Sequence, residues 1–203
     1  MIDNPALENL MNIDQSAYVE RVTIDSGRLA ALKEAGCSLG ARGGLSRRSE
    51  EIIFRIEKNA SELDNTYQFQ SVMLEFGVLP PVVVEARDSV DQKNDYSISY
   101  SGVVYKMVND ARFVTVSPTW RSYLFKGIEK GGVDLPNAAF LPKNEEEKEV
   151  WKKEVARCWD LGVSQANDIF EYNKQELKRD FAGMLRYKLL ALKGEIKAPV
   201  VVT

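Results

Sequence analysis

Apolar positions in this chain recur mainly at helical spacing. From Ser46 to Phe76, Ile52, Ile56, Ala60, Leu63 and Tyr67 step by four, four, three and four, which is one face of a 3.6-residue period. Ser46 is placed to cap this helix, Glu50 and Glu51 favour its N-terminal dipole, and Gly77 followed by Pro80-Pro81 ends it. At 1.5 Å per residue such a helix would span about 46 Å. A second stripe runs Trp151, Val155, Trp159, Gly162, Ala166, Ile169, Asn173, Leu177, Phe181 and Met184, always three or four apart. Asn144 caps its start, with Glu147 three residues on as in a capping box. Gly162 and Gly183 are candidate breaks that would divide it, and Gly194 ends it.

Between the two stripes the pattern changes. Val82-Val83-Val84 reads as a short buried strand and Asp88 to Asp95 as a polar loop. Ile98 and Tyr100, a Ser101-Gly102 turn, then Val103 to Met107 read as a hairpin, and Phe113 to Val116 as a further strand. Ser117-Pro118 opens a short helix, with Ser as cap and Pro at the first helical position. Leu29 to Ala35 is expected to be a short helix, and Pro199 to Val202 a last strand. The fold class expected is α+β, helix-dominant, with long helices packed on a small antiparallel sheet. Residues 1–35 are expected to be a loosely ordered N-terminal segment and 36–203 a single α+β domain.

Composition narrows the chemistry. The 203 residues carry a net charge of −3, which argues against a nucleic-acid-coating surface. There is no histidine, so the commonest general base and metal ligand are missing and a nucleophile–His–acid triad is impossible. Cys37 and Cys158 are too few for a four-thiolate zinc site. They form a disulfide only if the fold brings them together, and free buried thiols are the default. No cofactor and no metal are expected. No stretch is long and apolar enough to span a membrane. Gly36, Gly40, Gly43 and Gly44 suggest a phosphate loop, but the Gly-Lys-Ser/Thr ending is absent, so close helix packing or a turn is the expected role. Glu145, Glu146 and Glu147 are read as a solvated first helical turn, and the aromatics of 144–192 as core.

No catalytic residue is assigned. The candidate partner contacts are Arg42, Arg47 and Arg48 beside the glycines, Pro80-Pro81, and Trp120-Arg121, a pair of residue types enriched in interface hot spots. The bland alternatives are a solvated helix start for the arginines, and core plus a surface ion pair for Trp120-Arg121.

Several stretches together resemble the DotC/TraI family of type IVB (Dot/Icm-like) secretion and related plasmid-transfer systems; this TraI is not the relaxase of the same name. They are Ser38-Leu39-Gly40-Ala41-Arg42-Gly43-Gly44-Leu45, Leu79-Pro80-Pro81-Val82, Phe113-Val114-Thr115 and Pro118-Thr119-Trp120-Arg121-Ser122-Tyr123-Leu124. Leu141-Pro142-Lys143, Glu147-Lys148-Glu149-Val150-Trp151, Gln165-Ala166-Asn167, Asp180-Phe181-Ala182-Gly183-Met184 and Leu189-Leu190-Ala191 continue the likeness, which covers about residues 38 to 200. The resemblance implies an outer-membrane lipoprotein on the periplasmic face. It implies a DotD/TraH-type lipoprotein and a DotH/TraN-type secretin-like outer-membrane subunit as partners, in a ring-shaped core complex. No lipobox cysteine opens the sequence and family members extend past its last residue, so a fragment of a longer protein is expected. Arg47 stands where the family carries an aromatic, and neither cysteine matches a family cysteine.

Two other function classes fit the residues. One is a peptidoglycan-active or cell-wall-binding module that uses a lone carboxylate. The other is a cytosolic helical adaptor.

Overall fold

The computed structural model describes residues 7–12, 26–89, 101–128 and 131–196. The predicted Pro199–Val202 strand, Ile98, Tyr100 and most of the Asp88–Asp95 loop lie outside them. The fold is helix-dominant α+β, and the chain divides into two compact units. One holds residues up to Ala60 with Phe125–Asn173; the other holds Ser61–Leu124 with the residues from Lys174 onward.

In the first unit, α1 (Leu7–Met11) precedes α2 (Ser26–Glu57). Helix α2 begins twenty residues before the expected Ser46 start and runs straight through the glycines. The predicted Leu29–Ala35 helix is part of it, and Ser46 is interior, its hydroxyl donating to the Gly131 carbonyl. Glycine disfavours helix by about 1 kcal/mol each, and packing overrides that cost here. Gly36, Gly40, Gly43 and Gly44 are all buried against the last long helix, α6 (Glu145–Leu192), or against α1. A Cβ at Gly40 would overlap the Val155 carbonyl, one at Gly44 the Trp159 carbonyl, and one at Gly162 the Ala41 carbonyl. The glycines thus let the two backbones touch. Cys37 and Cys158 are joined across the same crossing, with Cα atoms 4.9 Å apart, so the free-thiol expectation is replaced by a disulfide. Leu10, Leu32, Leu39, Val133, Trp151 and Val155 form one core, and the Trp151 indole donates to the Leu10 carbonyl at 3.0 Å. Ile52, Ile53, Ile128 and Ala166 form another.

Helix α6 is one uninterrupted element of 48 residues that contributes to both units, and neither Gly162 nor Gly183 breaks it. Asn144 caps it as expected, its side-chain oxygen accepting from the Glu147 N–H at 2.8 Å. Most of the predicted stripe is buried, from Trp151 through Leu177 to Met184. Tyr172 is the exception to the aromatic-core expectation and lies exposed.

In the second unit, the expected continuation of the 46–76 helix is instead broken into α3 (Ala60–Thr66), α4 (Phe69–Val72) and a 3-10 turn at Glu75–Gly77. Gly77 takes φ +70, the left-handed backbone expected of a stop signal. Strands β1 (Val78–Leu79) and β4 (Arg112–Phe113) pair antiparallel, as do β2 (Val82–Ser89) and β3 (Ser101–Asn109). Ser101 and Gly102, predicted as a turn, are strand residues opposite Ser89 and Asp88. The strand predicted over Phe113–Val116 reduces to its first residue. Helix α5 (Trp120–Leu124) starts later than the Ser117 prediction because Thr119 caps it. The Thr119 N–H donates to Ser122 Oγ at 3.1 Å, and the Ser122 N–H returns to Thr119 Oγ1 at 3.3 Å. Phe69 stacks on Tyr123, and Phe181 meets Phe69 and Tyr67 edge to face, with centroids 5.1–5.3 Å apart. Burial, then the neighbouring Asp180 carboxylate, push the Tyr123 hydroxyl above its ordinary pKa.

Candidate interaction surfaces

The three arginines beside the glycines do not form one patch. Positions five and six apart on a helix turn to different sides, so Arg42 is separated from Arg47 and Arg48. Arg42 is exposed and reaches the Ser38 and Asp134 carbonyls at 3.3 and 3.4 Å. It borders a hollow of about 340 Å³ with Ser46, Ser49 and Gly131–Asp134. Arg47 pairs with Glu51 at 3.3 Å. Arg48 also binds Glu51, at 3.0 Å, and donates to Asn167 Oδ1 on α6 at 2.8 Å. One carboxylate therefore balances two of the three charges, and Arg48 is committed to helix–helix packing.

Trp120 is a core residue, 1% exposed. Its indole N–H donates to Asp64 Oδ1 at 2.6 Å. The Arg121 guanidinium lies 4.1 Å from the Trp120 ring centroid and meets the same Asp64 oxygen at 3.2 Å. Trp120 and Arg121 take the bland arrangement of core indole plus surface ion pair. Asp64, Gln68, Gln70, Ser71 and Pro118 border an open cleft of about 670 Å³ beside them. Pro80 and Pro81 are both buried, so neither presents a side chain to solvent. Of the seven candidates, Arg42, Arg47 and Arg121 keep accessible side chains, the last two 42% and 41% exposed.

The sequence reading missed a lock at the start of α6. Glu147, expected in solvent, is 4% exposed. Arg28 grips its carboxylate with two nitrogens, at 3.0 and 2.9 Å, and the Lys143 N–H donates at 2.8 Å. Arg28 also donates to the Ala139 and Leu141 carbonyls. The Arg28 hydrogen bond holds the Glu147 carboxyl below the usual carboxylate range, against the opposing effect of burial. The sequence does hold a signal for this. A capping-box glutamate ordinarily turns back to its own cap, and here it is close enough to bind the preceding N–H and a guanidinium from another helix. Arg28 lies 119 residues away, which no local pattern reveals.

Among the described residues no group of three or more Cys, Asp or Glu side chains is placed to hold a metal ion. No helix among them is long and apolar enough to cross a membrane. The arrangement is one of surfaces and clamps.

No curated protein matches the chain significantly. A family model described as type IV secretory system, conjugal DNA-protein transfer, matches residues 26–203. That match takes in α2 with its glycine crossing, both strand pairs and the whole of α6, so the chain belongs to the type IV secretory system, conjugal DNA-protein transfer family.

Proposed function

We propose that this chain is a non-catalytic structural subunit of the outer-membrane core complex of a type IVB secretion or conjugation system. In this reading it is the DotC/TraI-type subunit on the periplasmic face of the outer membrane, lipid-anchored when full length. It assists outer-membrane placement of the DotH/TraN-type secretin-like subunit, together with the DotD/TraH-type lipoprotein.

The observation that carries the reading, beside family membership, is the Cys37–Cys158 disulfide. Disulfides persist in oxidising compartments such as the periplasm and are rare in the cytosol. A disulfide at the most intimate helix crossing of the first unit supports a chain that matures outside the cytosol, and it weighs against the cytosolic adaptor. The cell-wall hydrolase needs a carboxyl kept protonated near neutral pH to act as general acid. Glu147, the buried glutamate, is held in the opposite direction by Arg28. Arg42, Arg47 and Arg121 are the partner contacts we retain.

The test is membrane fractionation of a strain deleted for the gene. The secretin-like subunit should leave the outer-membrane fraction and return when the full-length gene is restored. Unchanged outer-membrane placement in the deletion sinks this function.

A further inference from the structure

The last third of α6 carries an unfilled helix seam. Its inner face is buried: Met184, Tyr187 and Leu190 pack within the second unit. Its outer face shows Ala182, Leu185, Leu189 and Leu192, spaced three, four and three. The three leucines are 39%, 58% and 77% exposed. Spacing of three and four in alternation is the a/d pattern of a coiled coil, and this run covers about 15 Å of helix at 1.5 Å per residue.

The charges along the seam are one-sided. Between Lys178 and Lys193 there are five basic residues and one acid, in a chain whose net charge is −3. The acid, Asp180, is buried and held by Arg179 at 2.7 Å. With Ala182 and Leu189 at a, Leu185 and Leu192 at d, the e and g positions are Arg179, Phe181, Arg186, Lys188 and Lys193, so four of the five are basic. Two of these are fixed beside the seam by neutral acceptors: Arg186 donates to the Val83 carbonyl and Lys188 to the Ser71 carbonyl, both at 2.6 Å. Carbonyls orient these side chains without neutralising their charge.

Three occupants are conceivable, and the seam selects among them. A second copy of the chain would set basic e and g positions against one another in either orientation, which is repulsive. A lipid surface also takes leucines flanked by basic residues, but on a broad apolar face, whereas this face is a narrow row of alanine and leucines. We infer that residues 182–192 of α6, with the basic positions flanking them, form a docking seam for an amphipathic helix of a different protein, leucine-rich at its own a and d positions and acidic at e and g. The inference rests on the seam alone and stands independently of the outer-membrane reading.

The test uses the purified chain and a fluorescent synthetic helical peptide with leucine at a and d and glutamate at e and g. The comparison probes are the same peptide with lysine at e and g, and phosphatidylglycerol vesicles. Fluorescence anisotropy should show the glutamate peptide binding at least about ten-fold more tightly than the lysine peptide. Binding should weaken as salt is raised. The Leu185→Asp/Leu189→Asp variant should lose it with an unchanged circular dichroism spectrum. Should that variant misfold, Lys188→Glu/Lys193→Glu, which changes two of the e and g positions and leaves the apolar row intact, should weaken glutamate-peptide binding and strengthen lysine-peptide binding. Equal binding of both peptides, no binding of either, or preference for the vesicles overturns the inference.

Discussion

Gly162 on α6 lies so close to Ala41 on α2 that a Cβ at position 162 would overlap the Ala41 carbonyl oxygen and crowd the Leu45 amide at 2.7 Å. Backbone cannot retreat as a flexible side chain can, so the helices must separate to admit a methyl group. Gly162→Ala should therefore destabilise the first unit by about 1–3 kcal/mol or more. Gly131, which has open space around its Cβ position, is the control, and Gly131→Ala should be near neutral. Thermal unfolding of both variants decides it. Equal midpoints would mean that the helices do not meet at Gly162.

The disulfide closes a loop between residues 121 apart at this same crossing. Removing a native disulfide typically costs 2–5 kcal/mol, roughly the range expected of so long a loop. Cys37→Ser/Cys158→Ser should lower the denaturation midpoint accordingly, and dithiothreitol should do the same to the wild type but not to the double variant. Thiol labelling of the unfolded, unreduced wild type should find no free cysteine.

Glu147 gives the first unit an acid-sensitive clamp. Its folded pKa is depressed by Arg28 below the unfolded value of about 4.3. A depressed carboxyl contributes stability that is fully present above the unfolded pKa and is lost as pH falls through the folded pKa. Glu147→Gln should cost about 1–3 kcal/mol at pH 7, as expected for charge-assisted hydrogen bonds. The gap between wild type and variant should narrow once pH drops below about 4.3. Urea titrations at neutral and acidic pH measure both arms, and a pH-independent gap contradicts the assignment.

Trp120 and Arg121 separate burial from surface pairing. Trp120→Ala removes a 1%-exposed indole and should cost about 3–5 kcal/mol. Arg121→Ala removes an exposed ion pair with Asp64 and should cost less than about 1 kcal/mol. Chemical denaturation of the two variants provides the comparison; similar losses would mean that Trp120 is not in the core.

Periodicity made the α6 side of this architecture readable, because the stripe from Trp151 to Met184 and the Asn144 cap are both local signals. On the α2 side close packing was one expected role of the glycines, but the helix running through them was hidden for a physical reason. Gly36 to Gly44 have poor helix propensity, and only the partner helix, more than a hundred residues later, makes their missing side chains an advantage. The same distance concealed the Cys37–Cys158 and Arg28–Glu147 pairings. Between residues 58 and 76 the apolar spacing stays helical while the chain breaks into two short helices and a 3-10 turn. There the packing of Phe69 on Tyr123 and Phe181 overrides the local pattern. Among the proposed contacts, residue type alone could not tell a hot-spot tryptophan from a core one: Trp120 looks the same until Asp64 is seen to hold its indole.

The most direct test of the structural-subunit account is transfer itself, measured in the organism that carries the gene. A clean deletion should abolish conjugal or effector transfer, and the full-length gene should restore it. Normal transfer from the deletion strain would contradict the account.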